Sequence, residues 1–257
     1  MKLLIKFPSR GRPGKFMKVF NMYRNMLSGK RDVSFLLSFD EDDATMNNTG
    51  IRNWLKSLGP NAHVHFGHSN TKIEACNADL DKAPEFDIIL LASDDMIPVQ
   101  EGYDDIICSD MEKHFPDTDG VLWYNDGLVG KKLNTLSIMG KKYFDRFGYM
   151  YHPDYESVYC DNEFMECSLM LGKCEYIDNV IVKHEWVGMA EPHDPTHQKN
   201  HNMGFYQRDG QVLLTRRTKN FDLKNEDIKY TLKFKERGIN NVPTTVIGAD
   251  PRGGKKL

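Results

Sequence analysis

The chain lacks several features that would assign it at once. No hydrophobic run comes near the roughly 18 residues that a membrane-spanning helix requires, which argues against a helical membrane protein. The opening residues MKLLIKF are too short and too interrupted by Lys for a signal peptide, and they read as a first strand. A cytoplasmic location with no membrane contact is the expectation. There is no Cys-x-x-Cys pair, and the five cysteines (Cys76, Cys108, Cys160, Cys167 and Cys174) are odd in number. That disfavours a disulfide framework. The spacing of seven between the last three is two helical turns, which suits core thiols in a reducing compartment better than a metal cluster. The loop Pro8-Ser9-Arg10-Gly11-Arg12-Pro13-Gly14 lacks the Lys-Ser/Thr ending of a P-loop and the spacing of a dinucleotide fingerprint, so neither site is supported. No internal repeat or low-complexity block is present.

What the chain does contain is ordinary in bulk and uneven in detail. Its 257 residues are 40% hydrophobic and 28% charged, enough for one sizeable domain or two lobes on a shared core. The net charge of −3 is split. Residues 211–257 carry 11 Lys/Arg and 5 Asp/Glu, a local +6 that leaves −9 for the rest. A basic tail on an acidic body suits an anionic partner such as nucleic acid or phosphate, the alternative being a solvated C-terminal helix.

Hydrophobic patterning gives a strand at 2–7, a helix at 15–28, a strand at 33–39, a helix near 48–57, a strand at 62–66, a helix from Thr71 and a strand at 86–92. Strands alternating with helices indicate a wound, mainly parallel sheet. Further on, 103–114 reads as a helix, 120–124 and 133–139 as strands, 141–147 and 161–171 as helices, and 174–181 as a strand leading to Lys183-His184-Glu185-Trp186. Residues 188–204 read as a loop over a site. Residues 205–237 read as a basic helical segment, followed by an arm.

The most informative stretch is Phe86–Ala92 followed by Ser93-Asp94-Asp95. A buried parallel strand there delivers two carboxylates to the sheet edge where open α/β folds bind ligands. Paired carboxylates at that edge suit a divalent cation held against a diphosphate. Asp161 and Glu163 open a helix, as general-base candidates or as dipole-favoured caps. Arg10 and Arg12 could pair with phosphate. Trp123, Tyr124 and Trp186 could line a sugar site or pack in the core. The segment Glu191–His201 holds three His and two acids in no common zinc spacing, and reads better as a lid or acceptor loop.

In order and context, these motifs resemble the GT-A fold glycosyltransferases, most closely the inverting family 2 enzymes, over roughly residues 2–186. The resemblance implies an α/β Rossmann-like mixed sheet, mainly parallel and flanked by helices, with a basic helical C-terminal extension. It divides the chain into a catalytic domain at 1–204 (nucleotide-sugar half 1–100, acceptor half 101–204) and an extension at 205–257. It implies donor contacts at Pro8, Ser9, Arg10, Asp40, Lys72, Asn77, Ser93 and Asp94. Asp95 and His184 become the metal ligands, and Asp161 or Glu163 the catalytic base. The cofactor would be Mn²⁺ or Mg²⁺, with a His ligand favouring Mn²⁺, and the donor a UDP-sugar. The chain departs from the family in lacking its Gln-x-x-Arg-Trp motif and in carrying Ser-Asp-Asp as the signature.

Small size and the basic tail are similar to bacteriophage glycosyltransferases that modify hydroxymethylcytosine in DNA. That implies a DNA acceptor, a glucosyl or arabinosyl donor and a host-cell cytoplasmic location. Other readings left open are transfer to a small molecule, protein or surface glycan, a nucleotidyltransferase, and a non-enzymatic nucleic-acid-binding module. The oligomeric state is not legible.

Overall fold

A central parallel strand is covered on both faces and must be apolar along its length, and β1 (Lys2–Pro8) buries every residue from Leu3 to Phe7. In the computed structural model, which describes residues 1–185, 203–234, 243–248 and 255–256, this strand sits inside a seven-stranded sheet. On one side it pairs in parallel with β2 (Asp32–Asp40), which pairs in parallel with β3 (Ala62–Gly67). On the other it pairs in parallel with β4 (Ile88–Leu91). The far half is mixed. β7 (Ile138–Gly140) runs antiparallel to both β4 and β6 (Val121–Tyr124), and β8 (Cys174–Ile177) closes the edge parallel to β6. The order is β3-β2-β1-β4-β7-β6-β8. Two short strands, β5 (Met96–Pro98) and β9 (Val182–His184), form a separate antiparallel pair.

Alternation along β1 divides the core. Leu3, Ile5 and Phe7 face α1 (Pro13–Asn25) and α4 (Tyr103–His114) in one hydrophobic cluster. Leu4 lies in the opposite cluster, with Ile73 and Cys76 of α3 (Lys72–Asn77) and Phe164 and Cys167 of α6 (Cys160–Met170). α1 begins with Pro at its first turn, where the missing N–H costs nothing. It buries Phe16, Val19, Phe20 and Tyr23 at helical spacing. Phe16 meets Phe7 edge-on at 5.0 Å and Phe39 at 5.2 Å, fixing the helix across the strand ends. The short helices α2 (Thr49–Lys56) and α3 are capped by Asn48 and Thr71, each accepting a backbone N–H at 3.1 Å. A further short helix, α5 (Lys141–Asp145), follows β7 directly.

The C-terminal extension departs from expectation. Among the described residues its α-helix is α7 (Met203–Thr218), followed by a single 3-10 turn at Asn220–Asp222. The chain then turns into β10 (Tyr230–Phe234), which pairs antiparallel with β11 (Pro243–Gly248), itself paired with β12 (Lys255–Lys256). Alternating Tyr-Thr-Leu-Lys-Phe is a strand pattern that the surrounding charge masks. The extension packs on the body. Gly172, at φ +62°, ends the α6 turn where a Cβ would lie 2.7 Å from the Tyr230 ring, so only glycine fits. The expected strand at 133–139 shrinks to Ile138–Gly140. All five cysteines are free thiols, four of them buried.

Candidate active site

Strands β1, β2 and β4 end at one edge of the sheet, with Pro8 opposite Ser38 and Lys6 opposite Leu91. Three sequence-predicted segments meet beyond that edge. The Arg10 guanidinium forks onto two acids, Nη1 donating to Asp40 Oδ2 at 2.7 Å and Nη2 to Asp42 Oδ2 at 2.9 Å. The Gly11 N–H donates to Asp43 Oδ2 at 2.7 Å. Arg12 Nη2 lies 2.9 Å from Asp94 Oδ1. The Arg-Gly-Arg loop is therefore tied to Asp40, Asp42, Asp43 and Asp94. Pro8 ends β1, and the next residue, Ser9, has a buried hydroxyl with no hydrogen-bond partner among the described residues. It is a polar group available to a ligand at the expected donor edge.

The two adjacent carboxylates differ in role. Asp94 is buried at 2% exposure and forms an ion pair with Arg12. Asp95 is half-buried, and the Ser93 hydroxyl donates to its Oδ1. Burial works against the Asp95 charge, but Ser93, His184, Lys72 and Arg12 together hold its carboxyl below the usual range. Ser93 thus orients Asp95.

His184 reaches this edge through the β5–β9 pair, where it stands opposite Met96. The Glu185 N–H donates to the Asp95 carbonyl at 2.8 Å, and the His184 N–H to the Asp126 carbonyl at 2.9 Å. Asp126, 1% exposed, is a residue that sequence reasoning missed. Its Oδ1 accepts the N–H groups of Leu128, Val129 and Gly130 at 3.0, 2.8 and 3.0 Å, and its Oδ2 accepts the Thr135 hydroxyl at 2.7 Å. Burial opposes its charge, yet His184 and these donors hold its carboxyl well below the usual range. The only sequence signal was an Asp-Gly turn after a strand, which is too common to single out.

Asp161 sits in the first turn of α6, its Oδ1 accepting the Asn162 N–H at 3.0 Å. Burial pushes its carboxyl up, partly countered by Lys72 and His184. Lys72, at the start of α3, is an exposed residue whose ammonium is raised overall, desolvation opposing the charge and the Asp95 and Asp161 carboxylates favouring it. Asp95 and Asp161 each lie within electrostatic range of both Lys72 and His184, though the four come from separate segments.

Other expected site residues are engaged elsewhere. Glu163 is buried, taking Arg216 Nε on Oε2 at 2.6 Å and Nη2 on Oε1 at 2.8 Å, with the Tyr155 hydroxyl at 2.8 Å. A carboxylate so saturated is structural, and Asp161 is left as the base candidate. Asn77 uses both ends of its amide on one loop. Its Oδ1 accepts from Met150 and Tyr151 at 2.9 and 3.1 Å, and its Nδ2 donates to the Tyr151 carbonyl at 2.7 Å. It positions that loop rather than reaching a nucleotide. Trp123 packs edge-on to Tyr176 at 5.3 Å and Tyr124 donates to Asp110 at 2.6 Å, so both belong to the interior. Arg217 is paired with Glu166, Nε to Oε2 at 2.8 Å. Trp186 and Glu191–His201 lie outside the described residues.

Among the described residues no three His, Cys, Asp or Glu side chains gather as a protein-only metal cage. Asp95 and His184 offer one oxygen and one nitrogen. That set fits an ion that completes its shell with diphosphate oxygens and water, and the nitrogen favours Mn²⁺.

The backbone is similar to that of several solved sugar-transferring enzymes. A mannosyltransferase from Pyrobaculum calidifontis, in complex with GDP-Man and Mn²⁺, superposes at a TM-score of 0.62 with 12% identity over 87% of this chain and 65% of its own. The chain has the GT-A fold. S. aureus TarS with UDP-GlcNAc matches this GT-A chain at a TM-score of 0.57 and 14% identity, over 88% of this chain and 69% of its own. A mutant Drosophila β-1,4-galactosyltransferase 7 with manganese, UDP-Gal and xylobiose matches at 0.51 and 14%, over 95% and 91%. The chain spans less than two thirds of the length of the mannosyltransferase. No protein-family model and no curated protein sequence matches this GT-A chain. No helix among the described residues is long and apolar enough to cross a membrane.

Proposed function

We propose that the protein is a metal-dependent glycosyltransferase that moves a sugar from a UDP-sugar to an acceptor hydroxyl with inversion at the anomeric carbon. The observation that carries this reading is that the β5–β9 pair brings His184 beside Asp95 at the ligand-binding edge of a GT-A sheet, with the Glu185 N–H donating to the Asp95 carbonyl at 2.8 Å. GT-A enzymes of similar backbone were solved with GDP-Man, UDP-GlcNAc or UDP-Gal, two of them with manganese.

In this reading Asp95 and His184 hold the divalent ion. When bound, the ion would offset charge on the departing diphosphate. Lys72 adds a positive charge on the same side. Asp40, steered by Arg10, faces the nucleoside, and the Ser9 hydroxyl supplies a further hydrogen bond. Asp161 accepts the acceptor's hydroxyl proton. Its raised proton affinity suits a general base better than an ordinary aspartate would. With Asp161 as the one base and no second carboxylate acting as nucleophile in this reading, the transfer is a direct displacement, hence inversion.

For the acceptor we propose a hydroxymethylated base in DNA, on the charge of residues 211–257. Arg216 and Arg217 contribute little to that surface, being paired with Glu163 and Glu166. Lys219, Lys224 and Lys229 are further cations of the segment. The nucleotidyltransferase reading loses support because its loop is tied down at Gly11 and Arg12.

The test is a thermal-shift panel of UDP-, GDP- and dTDP-sugars with Mn²⁺, followed by mass spectrometry of hydroxymethylated and plain DNA after incubation. A UDP-sugar shift that requires Mn²⁺ supports the donor half, and no shift with any sugar nucleotide overturns it. A hexose or pentose mass added only to modified DNA supports the acceptor half, and unmodified product throughout overturns that half alone.

A further inference from the structure

Nδ1 of His184 is buried and has no hydrogen-bond partner among the described residues. The carboxylate facing it is Asp126, whose Oδ2 lies 3.6 Å away. That is an ion-pair separation, longer than a hydrogen bond. The two residues are also tied through the main chain, the His184 N–H donating to the Asp126 carbonyl at 2.9 Å. Asp126 cannot easily turn away. Three backbone N–H groups hold its Oδ1, and the Thr135 hydroxyl holds one side of its Oδ2. A carboxylate oxygen has two lone-pair directions, so Oδ2 can still accept a second proton donor.

We infer that Asp126 is a positioning residue that sets the tautomer of His184, keeping the proton on Nδ1 so that Nε2 presents a lone pair to a divalent cation. This rests on the reading of His184 as a metal ligand. A carboxylate behind a ligating imidazole fixes ring orientation and raises the basicity of the other nitrogen. Asp126 never touches substrate in this scheme. It acts through His184, and it links the turn at 127–130 to the cation site. Replacing it with Asn keeps a carbonyl oxygen for the turn but presents N–H where Oδ2 was. Nδ1 would then have to accept, moving the ring proton to Nε2 and removing the lone pair.

Imidazole ¹⁵N chemical shifts of the metal-free protein test this directly, with His184 assigned by comparison with His184→Gln. The wild type is expected to show protonated Nδ1 and unprotonated Nε2. A neutral ring protonated on Nε2 would overturn the inference without any variant, so the test survives if substitutions at 126 fail to fold. In Asp126→Asn, the proton is expected on Nε2. Mn²⁺ affinity in the presence of UDP, read by electron paramagnetic resonance, should fall about 10- to 100-fold, while UDP binding without metal stays unchanged. Unaltered Mn²⁺ affinity in a folded Asp126→Asn protein would overturn the positioning role. Failure of the wild type to bind Mn²⁺ at all would overturn the metal assignment instead, and the tautomer measurement separates the two.

Discussion

Arg216 grips Glu163 through two near-parallel hydrogen bonds, Nε to Oε2 at 2.6 Å and Nη2 to Oε1 at 2.8 Å, with both side chains buried. The pair joins α7 to α6 two residues from Asp161. Removing one partner leaves the other charged and desolvated. Arg216→Ala is expected to cost roughly 3–5 kcal/mol in urea unfolding. Replacing both partners with apolar residues of similar volume should recover much of that loss. Glu163→Gln should lower stability more than it lowers the turnover of the folded fraction. A collapse in turnover with stability intact would return Glu163 to the chemistry.

Asp161 has the opposite signature. Its folded proton affinity is raised, chiefly by burial, so its charged form is disfavoured by folding. A group raised in this way stabilises the fold only at low pH, and that contribution is lost as pH rises through the folded pKa. At neutral pH the charge is therefore a burden. Asp161→Asn is expected to melt higher than the wild type while losing sugar transfer by two or more orders of magnitude, on the order expected for a general base. The acid limb of kcat/KM should lie above the ordinary aspartate range and vanish in the variant. A variant that is both less stable and less active would mark Asp161 as structural.

Asp94 and Asp95 should separate cleanly. Asp95→Ala is expected to abolish metal-dependent UDP-sugar turnover with the fold intact. Asp94→Ala removes the ion pair to Arg12 and should cost roughly 1–3 kcal/mol of stability, with Mn²⁺ affinity changed less than in Asp95→Ala. Parallel Mn²⁺ titrations and urea melts check both. Equal loss of Mn²⁺ binding in the two would show that both carboxylates serve the ion.

Lys6 lies wholly inside the protein, donating to Ser38, whose hydroxyl donates to Asp79 at 2.6 Å. Burial pulls its ammonium down to about 8. The unfolded chain thus holds more protons than the folded one between pH 8 and the ordinary lysine range, and stability should rise with pH there. Relative to Lys6→Met, the wild type should gain about 1.5 kcal/mol of stability from pH 8 to 9.5. A flat difference would mean that the lysine titrates normally.

The first half of the fold was legible because each of its elements carries its own period. Phe86–Ala92 reads as a buried strand from its own residues, and Asp95 follows at the ligand edge without reference to any partner. What escaped depends on distant partners. Nothing local in Asp161-Asn162-Glu163 tells the first acid from the third. The difference lies in Arg216, 53 positions on. Asn77 looks like a nucleotide contact until the 150–151 backbone is seen to occupy its amide. Asp126 is invisible because its partner His184 arrives through strands of only three residues. The C-terminal sheet was missed because its charge obscured the alternation at 230–234.

The β5–β9 pair has a consequence for the whole chain. Asp95 and His184 stand about 90 residues apart in sequence and are joined by a clasp that lies outside the main sheet. A cation shared between them would act as a reversible cross-link around that long loop, removing freedom from the unfolded chain much as a covalent bridge does. Folding and metal loading would then be coupled through one equilibrium, so the midpoint of unfolding should track free Mn²⁺ concentration even when no sugar nucleotide is present.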